Sequence, residues 1–135
     1  MIDYDNVRNI YATSLINIIT SLSEPIRNII IEKYPRVKCS SNKLAVALIN
    51  LRDKYPNSFC ISGEDKYVDI MESIERRNMY IHNQGIVNSK YLAFGSIIKS
   101  CDWNKYGFAD GDFLKIDSYY FEDFTDLIRK FIGQL

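Results

Sequence analysis

Three residues of this chain have the types and spacing to do chemistry: Arg77, Asn78 and His82. His82 is the only histidine, and histidine is the side chain that exchanges protons near neutral pH. Arg77 stays cationic and can present two parallel N–H donors to phosphate oxygens. The pair matches the needs of phosphodiester cleavage in RNA without a metal. There the ribose 2′-hydroxyl must lose a proton, the leaving 5′-oxygen must gain one, and negative charge growing on phosphorus must be stabilised. Asn78, one helical turn before His82, is close enough to orient the imidazole or to bond a substrate.

These residues need an element to hold them. Read as the end of a helix that begins near Gly63, the segment places Tyr67, Ile70, Met71, Ile74 and Ile81 on one face at steps of three and four. That face is expected to be buried. Arg77 and His82 then fall on opposite edges of the apolar arc, roughly 140° apart, with Asn78 between them. A guanidinium and an imidazole beside a buried stripe cost free energy unless they find partners. Two readings follow from the residues alone, a structural ion pair or a site.

The stretch Glu75-Arg76-Arg77-Asn78-Met79-Tyr80-Ile81-His82-Asn83-Gln84-Gly85-Ile86-Val87, followed by Asn88 and Tyr91, resembles the HEPN superfamily. Its signature is Arg-x(4 to 6)-His, here with a polar residue straight after the second arginine and with His-Asn leading into Gly-Ile-Val. The resemblance covers about Asn42 to Phe131 and looks like a domain of prokaryotic defence or toxin systems. It implies a metal-independent endoribonuclease that cuts RNA in the cleft of a homodimer, where motifs from two subunits supply the acid and base that one histidine cannot. Arg77 and His82 would be catalytic and Asn78 supporting, with no cofactor and no metal. An antitoxin or another defence-system component is a further partner of this kind of protein. One position departs from the pattern. Where toxins paired with a nucleotidyltransferase antitoxin carry a tyrosine two residues beyond the histidine, this chain has Gln84, which puts that form of neutralisation in doubt. Some relatives are non-catalytic dimerisation or RNA-binding modules, and that reading stands as the alternative.

Composition bounds both. At 135 residues the chain is long enough for one domain that removes about two-thirds of its unfolded surface from water. Seventeen basic and seventeen acidic residues cancel, so any attraction for nucleic acid is local rather than global. Cys39, Cys60 and Cys101 are odd in number and widely spaced, which points to free thiols in a reducing compartment. No zinc or calcium spacing occurs. The first residues lack a basic-then-apolar signal pattern and no long apolar run is present, so a cytoplasmic location with no membrane partner is expected.

The expected architecture is all-α, a compact bundle of about five helices forming a single domain over 1–135. A first helix from about Asp3 to Thr20 carries Val7, Ile10, Tyr11, Leu15, Ile18 and Leu22. Ser23 and Pro25 read as the start of a second helix, ended by Pro35. Ser41 or Asn42 is the expected cap of a third, through Leu44, Leu48 and Leu51 to near Pro56. Phe59, Cys60 and Ile61 read as an apolar plug in the loop before the motif helix. Gly85 suits a left-handed helix terminus. Between Ser96 and Ile116 the helical period weakens, and a short β-hairpin is expected near 106–116, with Trp103 and its neighbouring tyrosines covering the domain's end or stacking on bases. The last helix, capped by Asp117 or Ser118, carries Phe121, Phe124, Leu127, Ile128 and Phe131 at helical spacing.

Overall fold

The motif helix is the axle of the fold. A computed structural model describes residues 4–39, 42–97 and 104–135. Within them the chain runs α1 (Tyr4–Lys33), α2 (Leu44–Lys54), a 3-10 turn over Pro56–Phe59, β1 (Cys60–Ile61), β2 (Glu64–Asp65), α3 (Tyr67–Asn83), α4 (Ser89–Ile97), a 3-10 turn over Asn104–Tyr106 and α5 (Ser118–Gln134). The all-α class and the number of helices expected from the sequence are present, though the two helices expected before Pro35 are one and α4 makes up the five. From Ile70 to Arg76 every residue of α3 is buried, because the other four helices all pack around it.

The core explains why each helix has its apolar stripe. Leu15, Ile19, Ile26 and Ile30 of α1, Leu48 and Leu51 of α2, Ile70 and Met71 of α3, and Phe124 and Phe131 of α5 meet in one cluster. Phe59 is the plug at its base: its ring lies edge-on to Tyr67 at 4.8 Å and stacks on Phe131 at 5.0 Å. Deleting a ring so placed typically costs about 3–5 kcal/mol.

Several local expectations change. Pro25 does not start a helix but lies inside α1, which runs unbroken for 30 residues; packing of Ile26 and Ile30 against the core offsets the hydrogen bond that proline cannot donate. Lys43, not Asn42, holds the cap position of α2, with no side-chain cap. Ile10 and Ile81 are exposed; Ile81 lies on the projected core face, but α3 has by then run past the core, and Met79 is the last buried residue of the helix.

The hairpin also moves. The two-stranded antiparallel unit is β1–β2, with Cys60 opposite Asp65 and Ile61 opposite Glu64, turned by Ser62 and Gly63, both at positive φ. The segment near 106–116 instead pairs with the chain just after the motif. Leu114 N donates to Gly85 O, Gly111 N to Val87 O and Val87 N to Asp112 O, each at 2.8 Å. Asp117 caps α5 by accepting from Tyr120 N at 2.9 Å. Asp3, Ser41, Cys101 and Trp103, which carried expectations, lie outside the described residues. Among those described, no helix is long and apolar enough to cross a membrane.

Candidate functional site

Two arginines adjoin in the sequence, and the fold gives them opposite surroundings. Arg76 points into the core and is 3 % exposed. Its Nε donates to Glu72 Oε1 at 2.6 Å and its NH1 to the Lys115 carbonyl at 2.8 Å, while the guanidinium lies 4.0 Å from the Tyr120 ring centroid. Glu72 also accepts from Tyr91 at 2.9 Å and from Tyr120 at 2.7 Å. Burial opposes the charge on Arg76, but Tyr120 and Glu72 more than offset it and leave its pKa raised. Burial, then the charge of Glu72, pushes the Tyr91 and Tyr120 phenols well above their usual range. A saturated network of this kind ties α3 to α4, α5 and the 106–116 segment. It is structural.

Arg77 is half-buried, and its Nε has no hydrogen-bond partner among the described residues. Burial lowers its pKa, and the negative charge of Glu75 works against that lowering. Asn78 is also half-buried and donates from Nδ2 to Glu75 Oε2 at 3.3 Å. His82 is exposed in the last turn of the helix. Glu75 is the member that sequence reasoning passed over. Its side chain is buried, and desolvation raises its pKa against the pull of Asn78, Arg77, His82 and, from the first turn of α4, Lys90. Its signal in the sequence was its register: Glu75, Asn78 and His82 stand three and seven positions apart and share one helix face.

The helix end is built to present His82. Gln84 and Gly85 are both left-handed, at φ 56° and 81°, and Gly85 N donates to Met79 O at 2.9 Å, the closing bond of a Schellman turn. A Cβ on Gly85 would come within 2.9 Å of Phe113 and 3.1 Å of Tyr80. So both the turn and the packing call for glycine. Tyr80 is held in turn by the Leu114 carbonyl, Asn83 by the Ile86 carbonyl at 2.7 Å, and Asn88 caps α4 through Lys90 N at 3.0 Å and Tyr91 N at 3.3 Å.

The sequence-predicted residues therefore occupy the same end of one helix, yet no hydrogen bond joins Arg77, Asn78 and His82 to one another among the described residues. A concavity of about 690 Å³ lies at the opposite end of α3, with Lys66, Asp69, Lys105, Tyr106 and Lys130 on its walls. Its lysines are ion-paired, Lys66 with Glu64 at 2.8 Å, Lys105 with Asp69 at 2.6 Å and Lys130 with Asp126 at 2.9 Å. Among the described residues no group of three or more His, Cys, Asp or Glu is placed to hold a metal ion. Comparison with protein-family models, with curated proteins and with solved structures found no match.

Proposed function

We propose that the chain is a metal-independent endoribonuclease of the HEPN type that cuts RNA at a site shared by two subunits, in defence or toxin biology. The observation that carries the reading is the contrast between the two arginines. Arg76 is saturated by Glu72, Lys115 and Tyr120, whereas Arg77 keeps a buried Nε without a hydrogen-bond partner among the described residues. A buried donor left unpaired costs about 1–3 kcal/mol. A phosphate oxygen would remove that cost. His82, one turn beyond Asn78, is exposed and accessible to a substrate.

The chemistry follows from these groups. Arg77 would stabilise charge on the phosphoryl oxygens, His82 would move a proton to the leaving 5′-oxygen or from the 2′-hydroxyl, and Asn78 would hold the substrate or the ring. A second copy would supply the other proton-transfer group. Exposed apolar side chains flank His82 where such a copy would dock, namely Ile81 at 46 %, Ile86 at 40 % and Phe113 at 45 % exposure.

A second reading, a non-catalytic dimerisation or RNA-binding module, is favoured by the missing hydrogen bonds among Arg77, Asn78 and His82, since one chain alone assembles no acid–base pair. One experiment separates the two. Purified protein is incubated with a mixed RNA pool and chelator, beside His82→Ala and Arg77→Ala at matched folding and oligomeric state. Cleavage that leaves cyclic phosphate ends and is lost in both variants supports the ribonuclease. RNA binding without cleavage in the native protein supports the module.

A further inference from the structure

Resting on the reading of the motif end as an RNA site, we infer that the segment 113–115 is a track for an unpaired RNA strand beside it: the Phe113 ring stacks on a base and the Lys115 ammonium holds a phosphate. Burial alternates along this segment. Leu114 and Ile116 are buried, at 0 % and 2 % exposure, whereas Phe113 and Lys115 are exposed. That is the period of an extended chain, so Phe113 and Lys115 leave the same side of it, about 7 Å apart. The segment lies along α3. Leu114 N donates to Gly85 O and Arg76 NH1 to the Lys115 carbonyl, each at 2.8 Å, and between them the Tyr80 hydroxyl donates to the Leu114 carbonyl. The chain therefore runs from the end of α3 back toward the motif arginines, past Tyr80, which stands one turn from Arg77.

An exposed phenylalanine is ordinary, but this one is fixed in place. Its ring meets Tyr80 edge-on at 5.9 Å and packs over Gly85 so closely that a Cβ there would lie 2.9 Å from it, while its backbone is bridged to Ile86. What remains in solvent is a rigid aromatic surface at the helix end that carries His82. Ile81 and Ile86, the exposed apolar side chains nearby, have no π-face and are left for the second copy. Lys115 is the cation that goes with the ring. Its side chain is 63 % exposed, and its acidic neighbour Asp117, 3.9 Å away and itself exposed, is too loose and too wet to neutralise it. An aromatic face beside a cation suits a single strand, since stacking accepts any base and the ammonium meets the backbone. Bases inside a duplex are already stacked on their neighbours and do not reach such a ring, so the strand it takes is unpaired.

The probe is a short 2′-O-methyl oligouridylate labelled with fluorescein, which can be bound but not cut because its 2′-oxygen carries no proton. Anisotropy titrations use the full chain, beside Phe113→Leu, Phe113→Trp and Lys115→Gln at matched unfolding midpoints. Native protein binds the single strand more tightly than the same strand paired with its 2′-O-methyl complement. Phe113→Leu loses about fivefold to a hundredfold in affinity, the size of one base–aromatic stack, and Phe113→Trp restores it. Lys115→Gln reduces the slope of log affinity against log salt by about 0.7, the share of one phosphate contact on a single strand. Native affinity in Phe113→Leu, equal affinity for the duplex, or an unchanged salt slope in Lys115→Gln overturns the track. So does a Phe113→Leu variant that loses only self-association, which makes the ring a contact between copies. Native protein that binds no RNA overturns the RNA reading and the track together. If it binds the single strand but leaves RNA with free 2′-hydroxyls uncut, the ribonuclease reading falls and the track stands as part of the RNA-binding module.

Discussion

Arg76 and Arg77 are consecutive, yet the Arg76 Nε lies 2.6 Å from Glu72 in the core while the Arg77 Nε is buried with no hydrogen-bond partner among the described residues. Both arginines stand within the Arg-x(4 to 6)-His spacing from His82. Only their surroundings separate a structural residue from a candidate catalytic one.

Arg76→Ala should therefore unfold more easily, by about 3–5 kcal/mol, because it strands Glu72 in an apolar interior. Arg77→Ala should leave stability within about 1 kcal/mol of native, or raise it slightly by removing an unpaired donor, and should abolish cleavage. Urea unfolding of the two variants, read with RNA cleavage by Arg77→Ala, checks both. Equal destabilisation would remove the distinction.

Gly85→Ala should lose about 1–3 kcal/mol, since alanine is strained at φ 81° and its Cβ meets the Phe113 and Tyr80 rings. The effect should spread to the Gly85–Leu114 pairing, visible as faster amide exchange at Leu114. An unchanged unfolding midpoint would contradict the packing described.

Asp69 gives a pH dependence of ordinary sign. Burial pushes its carboxyl up, but donation from Lys105 and Tyr106, both at 2.6 Å, outweighs this and holds its pKa below the usual range. A depressed folded pKa contributes stability above the unfolded value and loses it as pH falls through the folded one. Asp69→Asn should thus be less stable than native at neutral pH, with the gap closing in acid.

Glu75 has the opposite sign. Its pKa is raised by burial, so its contribution is most favourable below the unfolded pKa and is lost as pH rises through the folded one. Glu75→Gln should gain stability relative to native as pH climbs through that window. Unfolding midpoints at a series of pH values check it, and a variant that loses ground instead would show the carboxylate to be a stabilising partner.

Pro25→Ala should stabilise the chain, by up to about 3 kcal/mol, because position 25 lies within the unbroken α1 and alanine restores a backbone donor without the ring clash. Thermal unfolding of the variant measures this directly.

The sequence by itself determined the helices whose stripes are long and regular, and the turn that ends the motif helix. Periods of three and four over α2, α3 and α5 needed no partner to be legible, nor did the left-handed demand met by Gly85, because both are properties of a local backbone. It also placed Arg77, Asn78 and His82 at one end of one helix. Tertiary structure decided what depends on neighbours. Pro25 sits inside α1 because core packing outweighs one lost bond; Ile81 is exposed because α3 outruns the core; the segment near 113 pairs with 85–87 rather than with itself. The same is true of the candidate site. Which arginine is saturated, and what opposes the effect of burial on Glu75, depend on Tyr91, Lys90, Lys115 and Tyr120, residues 13 or more positions from Arg77 along the chain. Long-range contacts of that kind leave no period in the sequence, since a side chain's electrostatic surroundings are set by what folds against it.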